Sequence, residues 1–206
     1  MSKIKAVIFD MGGVLVDLDM EVCKRYYKEN LEYYKIDEIL DPFHQMGIYG
    51  DMEAGLITAD EFRNSVISES KLGTTKADVD KAVHQLLVGI DDYKADLLKE
   101  LSKDYDLYIL SNNNAISIVR CAEILEEAGV PLNTTFKRSF LSHEMKMLKP
   151  SPEIYHKVIK EIGLDPSEML FIDDSMLNVQ ASIDAGLPAI YYEPGSDLRA
   201  LLEAHL

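Results

Sequence analysis

A chain of 206 residues with 47% hydrophobic composition can bury one good core and carry at most a smaller second unit. Its formal net charge of −15 repels phosphate backbones and anionic lipid, which excludes nucleic acid and membrane surfaces as partners, and a small anionic ligand would need a local positive site. Two distant cysteines, Cys23 and Cys121, lack metal-ligand spacing; no run is long enough to span a bilayer and no cleavage site follows the first apolar run, so a cytoplasmic protein is expected.

The first predicted strand, "KAVIF" at residues 5–9, ends on Asp10, with Gly12 where a second carboxylate could stand. From about residue 20 to 88 there is no convincing strand but several helical stretches, one opened by the capping box of Thr58 and Glu61. That length exceeds a single crossover helix, so an all-helical insertion is expected, dividing the chain into a core (residues 1–17 and 89–206) and a cap (18–88). A helix from Asp91 leads to the strand "LYIL" (107–110), followed by "SNNN" and a helix over 115–128. Ser151 and Pro152 open the next helix. The strand "MLFI" (169–172) runs into Asp173 and Asp174, then a helix over 175–185 and a last strand, "PAIYY" (188–192). Unbroken apolar strands alternating with helices predict an α/β fold with a doubly wound, Rossmann-like parallel sheet covered on both faces.

In such sheets ligands bind at the carboxyl ends of the strands. Three of the four predicted strands end there in short polar residues, at Asp10, at Ser111–Asn112 and at Asp173–Asp174, and Lys149 precedes the helix start at Ser151. Each alone is ordinary turn or cap chemistry. Together they make a unit: Asp10 and Asp174 facing each other favour a hard divalent cation such as Mg²⁺, because oxygen ligands without His or Cys select it over zinc. Lys149 adds positive charge, and the Ser111 hydroxyl with backbone N–H groups near Asn112 offers donors to an anion. This combination suits phosphoryl transfer, where positioning and charge stabilisation dominate.

At these places the chain resembles the haloacid dehalogenase-like hydrolase superfamily, with "FDMGGVLVD", "LSNNN", "LKPSPEIY" and "FIDDSMLNVQASIDAGL" arriving in the family's order over essentially the whole length. The resemblance implies that Asp10 is a nucleophile that becomes an aspartyl-phosphate, that Ser111 and Asn112 bind phosphate, and that Lys149 pairs with the nucleophile and the transferring group. It implies Asp10, Asp174 and the Gly12 carbonyl as Mg²⁺ ligands. Asp173 then supports them or stands in as a ligand, and Asn178 orients the Asp174 carboxylate or a metal-bound water. The insertion corresponds to a helical cap closing over the substrate.

In most phosphatases of that superfamily the residue two after the nucleophile is an Asp that moves the leaving-group proton. Gly12 keeps its carbonyl and lacks that carboxyl, and losing such a group costs about 10²–10⁴ in rate, or about 3–5 kcal/mol. Two remedies are open: a substrate whose leaving group needs little protonation, such as a hexose 1-phosphate, or a substitute from Asp17, Asp19 or water. The first is preferred, with a contribution from Asp17; Asp19 reads as a helix cap. The "FD-x-G-x-V" form is similar to that of a branch containing sugar-phosphate phosphatases.

The expected function is therefore an Mg²⁺-dependent phosphatase acting on a small phosphate ester, a sugar phosphate or a nucleotide-like ester such as flavin mononucleotide. The rival readings are a metal-free 2-haloacid dehalogenase using Asp10 and a non-catalytic phosphate-ester-binding module. In the cap, "FHQMGIYGDMEAGL" reads as a glycine-punctuated loop that could reach the site. Its His44, Tyr49 and Glu53 are candidate sugar or base contacts, against an ordinary reading in which His44 and Tyr49 pack between helices and Glu53 is solvated. Tyr26, Tyr27, Tyr33 and Tyr34 read as one helix face.

Overall fold

A computed structural model of the chain describes residues 3–41 and 46–206. It opens with β1 (Ala6–Phe9) and β2 (Asp17–Leu18), followed by five helices: α1 (Met20–Tyr26), α2 (Ile36–Ile39), α3 (Gly47–Glu53), α4 (Ala59–Ser68) and α5 (Lys76–His84). Then come β3 (Leu87–Gly89), α6 (Asp92–Leu101), β4 (Asp106–Ser111), α7 (Ser117–Glu127), α8 (Leu132–Thr135), β5 (Arg138–Leu141) and α9 (Ser142–Met145). The chain finishes with α10 (Pro152–Ile162), β6 (Met169–Asp173), α11 (Met176–Asp184), β7 (Ala189–Tyr191) and α12 (Leu198–Glu203).

The sheet runs β5-β4-β1-β6-β7 with every pairing parallel. Period-two alternation sends Val7 and Phe9 of β1 into one apolar cluster with Leu107, Ile109, Ile172 and Leu125. Ala6 and Ile8 enter the opposite cluster with Leu110, Phe171, Ile154 and Val158. Both faces of β1 are fully buried, which is why the run carries no polar residue before Asp10.

The four strands expected from the sequence are all present. The fifth, β5, pairs with β4 at the sheet edge and escaped the pattern because its four residues begin with Arg138 and Ser139. A second omission is the small antiparallel ribbon of β2 and β3, whose strands flank α1 to α5 in the chain. Three or fewer residues per strand leave no period to read.

Within the insertion, Thr58 and Glu61 form the expected capping box, with Glu61 N–H to Thr58 Oγ1 at 3.2 Å and Thr58 N–H to Glu61 Oε2 at 2.7 Å. Asp19 caps α1 by accepting Val22 N–H at 2.9 Å. Two expectations are corrected. Residues 47–53 form helix α3, not a loop. The four tyrosines do not share a helix face, because a π-helical turn over Tyr27–Leu31 and a left-handed Glu32 (φ 55°) end the helix before Tyr33 and Tyr34. Cys23 and Cys121 are free, buried, and lie on α1 and α7. Among the described residues no helix is long and apolar enough to cross a membrane.

Candidate active site

Three adjacent strands, β4, β1 and β6, bring their carboxyl ends together. Asp10 follows β1 and stays in register with β6, its N–H donating to the Ile172 carbonyl at 2.9 Å. Its carboxylate is largely buried; Oδ1 accepts the Met11 N–H at 2.7 Å and Oδ2 lies 3.0 Å from Lys149 Nζ.

Lys149 is buried and makes two further bonds, to Asp173 Oδ2 at 2.6 Å and to the Leu110 carbonyl at 3.1 Å, with its ammonium 5.3 Å from the Phe171 ring centre. The single cation thus bridges the ends of all three strands. Asp173 is fully buried and saturated: besides Lys149, its Oδ1 accepts Ser175 N–H at 2.8 Å and Asn178 Nδ2 at 3.0 Å. Of the two roles expected for Asn178, orienting the Asp174 carboxylate gives way to holding Asp173.

Asp174 is partly buried and stands over Gly13, whose φ is 77°. A Cβ built on Gly13 would lie 2.1 Å from Asp174 Oδ2, so only glycine admits this carboxylate here. Oxygens of Asp10, Asp173 and Asp174 lie within 4.8 Å of one another. Three carboxylates against one ammonium leave excess negative charge, and an all-oxygen donor set fits a hard divalent cation.

The electrostatics agree. Burial pushes Asp10 up to about 7, with Lys149 opposing the rise and Asp173 and Asp174 adding to it. Burial and Asp173 push Asp174 up to about 6. For Lys149 burial acts against the charge, but Asp10 and Asp173 outweigh it and raise the pKa. Burial first and one another's charge second favour the protonated carboxyls, and a bound cation would offset both.

Ser111 ends β4, buried, with its hydroxyl 3.3 Å from the Asn112 carbonyl. Asn112 has a further role: its Oδ1 accepts Lys149 N–H at 2.9 Å and its Nδ2 donates to the Lys149 carbonyl at 3.0 Å. One acceptor and one donor of the amide are committed to the lysine's backbone, so the side chain seats Lys149, and a second amide N–H remains to face an anion. Asp17 is corrected too. It lies on β2 and takes Lys94 Nζ at 3.2 Å, an ion pair with a buried lysine outside the carboxylate cluster.

Helix α3 meets the core loops at its C-terminal end. Ser142 Oγ lies 2.6 Å from the Glu53 carbonyl and 3.0 Å from the Asn113 carbonyl, and it accepts Asn113 N–H at 2.9 Å. Two residues on, Gly55 (φ 67°) is so close to the core that a Cβ would stand 2.3 Å from the His143 carbonyl. Glu53 itself is partly buried, not solvated, and its carboxyl is within electrostatic reach of Asp10 and Lys149. Tyr49, one turn earlier, is fully buried edge-on against Phe62, ring centres 5.7 Å apart, so it packs. His44 lies outside the described residues. Ser142 had no sequence signal; Gly55 carried one, a glycine two residues after a Glu at the mouth of a turn. A surface hollow of about 540 Å³ lined by Asp19, His84, Arg120 and Glu123 contains none of the site residues.

A Rossmann-like sheet with a buried acid–lysine pair and an oxygen-rich cation site at its strand ends defines a hydrolase of the phosphoryl-transfer type. The sequence profile of haloacid dehalogenase-like hydrolases matches residues 4–186. The chain is 33% identical over 197 residues to a D-ribitol-5-phosphate phosphatase from Bacteroides thetaiotaomicron, covering 95% of each protein. It is 23% identical to a 6-phosphogluconate phosphatase from Escherichia coli, covering 93% of this chain and 84% of that one. A crystal structure of a haloacid-dehalogenase-family enzyme from B. thetaiotaomicron, complexed with magnesium and inorganic phosphate, superposes with a TM-score of 0.90 at 34% identity, covering 97% of this chain and 98% of the other. This protein belongs to the haloacid dehalogenase-like hydrolase family.

Proposed function

We propose that the protein is an Mg²⁺-dependent phosphatase that hydrolyses a small sugar or polyol phosphate through an aspartyl-phosphate on Asp10. The observation that carries this reading is the 3.0 Å pairing of Asp10 with Lys149 beside Asp174, an acid, a cation and a metal ligand converging on one point. In it, Asp10 attacks phosphorus and forms the acyl-phosphate bond as the ester oxygen leaves; water then breaks that bond and restores the carboxylate. Lys149 neutralises the transferring group and holds Asp10 in line. The Ser111 hydroxyl and N–H groups of the following loop bind phosphoryl oxygens. Asp10, Asp174 and the Gly12 carbonyl would hold Mg²⁺, which when bound supplies charge stabilisation for the phosphoryl oxygens. Asp173 and Asn178 fix the floor of the site.

The substrates named for the relatives, D-ribitol 5-phosphate and 6-phosphogluconate, carry phosphate on a primary alcohol. They favour an open-chain polyol or sugar-acid phosphate here over a hexose 1-phosphate. Residues 18–88 serve as a cap over that substrate, and the cytoplasm is the compartment where free thiols such as Cys23 and Cys121 stay reduced. The test is release of inorganic phosphate from a panel of polyol, sugar, sugar-acid and flavin phosphates with Mg²⁺ and with EDTA. Metal-dependent turnover of a primary-alcohol phosphate is the expected result. Metal-independent halide release from a 2-haloacid, or tight ester binding without turnover, would overturn the reading.

A further inference from the structure

A primary alkoxide is a poor leaving group, and this site has no carboxyl two residues after Asp10 to protonate it. Nor does the local chain offer a substitute. The position is roofed by β2: a Cβ on Gly12 would lie 3.1 Å from Leu18 Cδ1. Asp17 is paired with Lys94, and Asp19 is spent as the cap of α1.

The cap delivers a different acid. Glu53 is the last residue of α3, and its backbone is pinned to the core loops by the Ser142 hydroxyl, which is itself bonded to Asn113 two residues beyond Ser111. The close approach of Gly55 to the His143 carbonyl fixes the same turn from the other side. We infer that Glu53 is the general acid of this enzyme, giving its proton to the departing alcohol oxygen in place of the carboxyl that Gly12 lacks. The inference rests on the phosphatase reading above.

The groups around Glu53 suit the role. Its carboxyl is within electrostatic reach of Asp10 and Lys149, and Tyr49 lies one turn back on α3. Burial, with the Asp10 charge, pushes it up to about 8, so it holds a proton at neutral pH. In the first step the Asp10 carboxylate oxygen bonds to phosphorus and the P–O bond to the alcohol breaks. That oxygen takes the electron pair and the Glu53 proton and leaves as the alcohol. In the second step water adds to phosphorus and gives a proton to the Glu53 carboxylate, while the electrons of the P–O bond return to Asp10. The proton donor is thus carried on α3, whose end is held against the core loops by the Ser142 hydroxyl.

The test compares two substrates in E53Q: the best-hydrolysed primary-alkyl phosphate of the panel, and p-nitrophenyl phosphate, whose leaving group departs as a stable anion. The quantity is kcat/KM, which reports the steps through leaving-group departure. The expected loss is about 10²–10⁴-fold for the alkyl ester, with a loss at least tenfold smaller for the aryl ester. Glu53→Asp, which retains a proton to give, is expected to recover at least tenfold of the alkyl loss. Equal losses on the two esters, or no loss on either, would overturn the assignment while leaving the phosphatase reading standing. A wild-type protein inactive on both esters would overturn the two together.

Discussion

Asn112 grips the backbone of Lys149 from both sides, 37 residues away in the chain, accepting from its N–H at 2.9 Å and donating to its carbonyl at 3.0 Å. The lysine that pairs with Asp10 is therefore held at its backbone by a side chain from the neighbouring strand end.

Asn112→Ala should lower kcat/KM by about 10–100-fold, since two net hydrogen bonds contribute about 1–3 kcal/mol to seating the lysine. Steady-state kinetics check this. A loss confined to KM would instead mark Asn112 as a direct phosphate ligand.

Gly13→Ala should push the Asp174 carboxylate aside, because the new methyl group would occupy a point 2.1 Å from Asp174 Oδ2. Calorimetric titration is expected to show Mg²⁺ affinity weakened at least about tenfold. The left-handed backbone adds about 1–2 kcal/mol of destabilisation, visible as a lower Tm.

Asp173→Ala removes the acceptor for Lys149 Nζ, Ser175 N–H and Asn178 Nδ2 at once. Breaking a buried ion pair from one side costs about 3–5 kcal/mol. Urea unfolding should show that loss together with abolished turnover, whereas a change under about 1 kcal/mol would mean that water replaces the carboxylate.

Removing the metal should reverse the pH dependence of stability. Asp10 and Asp174 are raised to about 7 and about 6 from the ordinary aspartate value of 3.8, so the folded metal-free protein binds more protons than the unfolded chain between those limits. Their contribution is complete below about pH 4 and is lost as pH rises through about 7. Thermal melts in EDTA should therefore lose this stabilisation from pH 5 to 8, and added Mg²⁺ should raise Tm more at pH 8 than at pH 5.5, where protons compete for the same oxygens.

Much of the fold was legible because its signals are local. The run over residues 6–9 is buried on both faces, and such a run followed at once by Asp10 can only be a central strand reaching its polar edge. The same logic placed Ser111 and Asp173–Asp174 at one end of the sheet. It failed at β5, which starts with Arg138, and at β2 and β3, where two or three residues carry no pattern. The helix α3 was obscured by Gly47 and Gly50, whose helical state is secured by packing of Tyr49 and Met52.

By itself the sequence determined which residue types line the sheet edge, and with them the chemistry of an acid, a lysine and a pair of carboxylates. Only the tertiary structure decided who partners whom. Asn112 goes to Lys149, Asn178 to Asp173 and not to Asp174, Asp17 to Lys94 across 77 residues, and the end of α3 to Ser142 across 89. Strand ends follow from short-range burial patterns, whereas a side chain's partner depends on where distant loops come to rest. A hydrogen bond or ion pair is won by the group that is 3 Å away, which no spacing along the chain records.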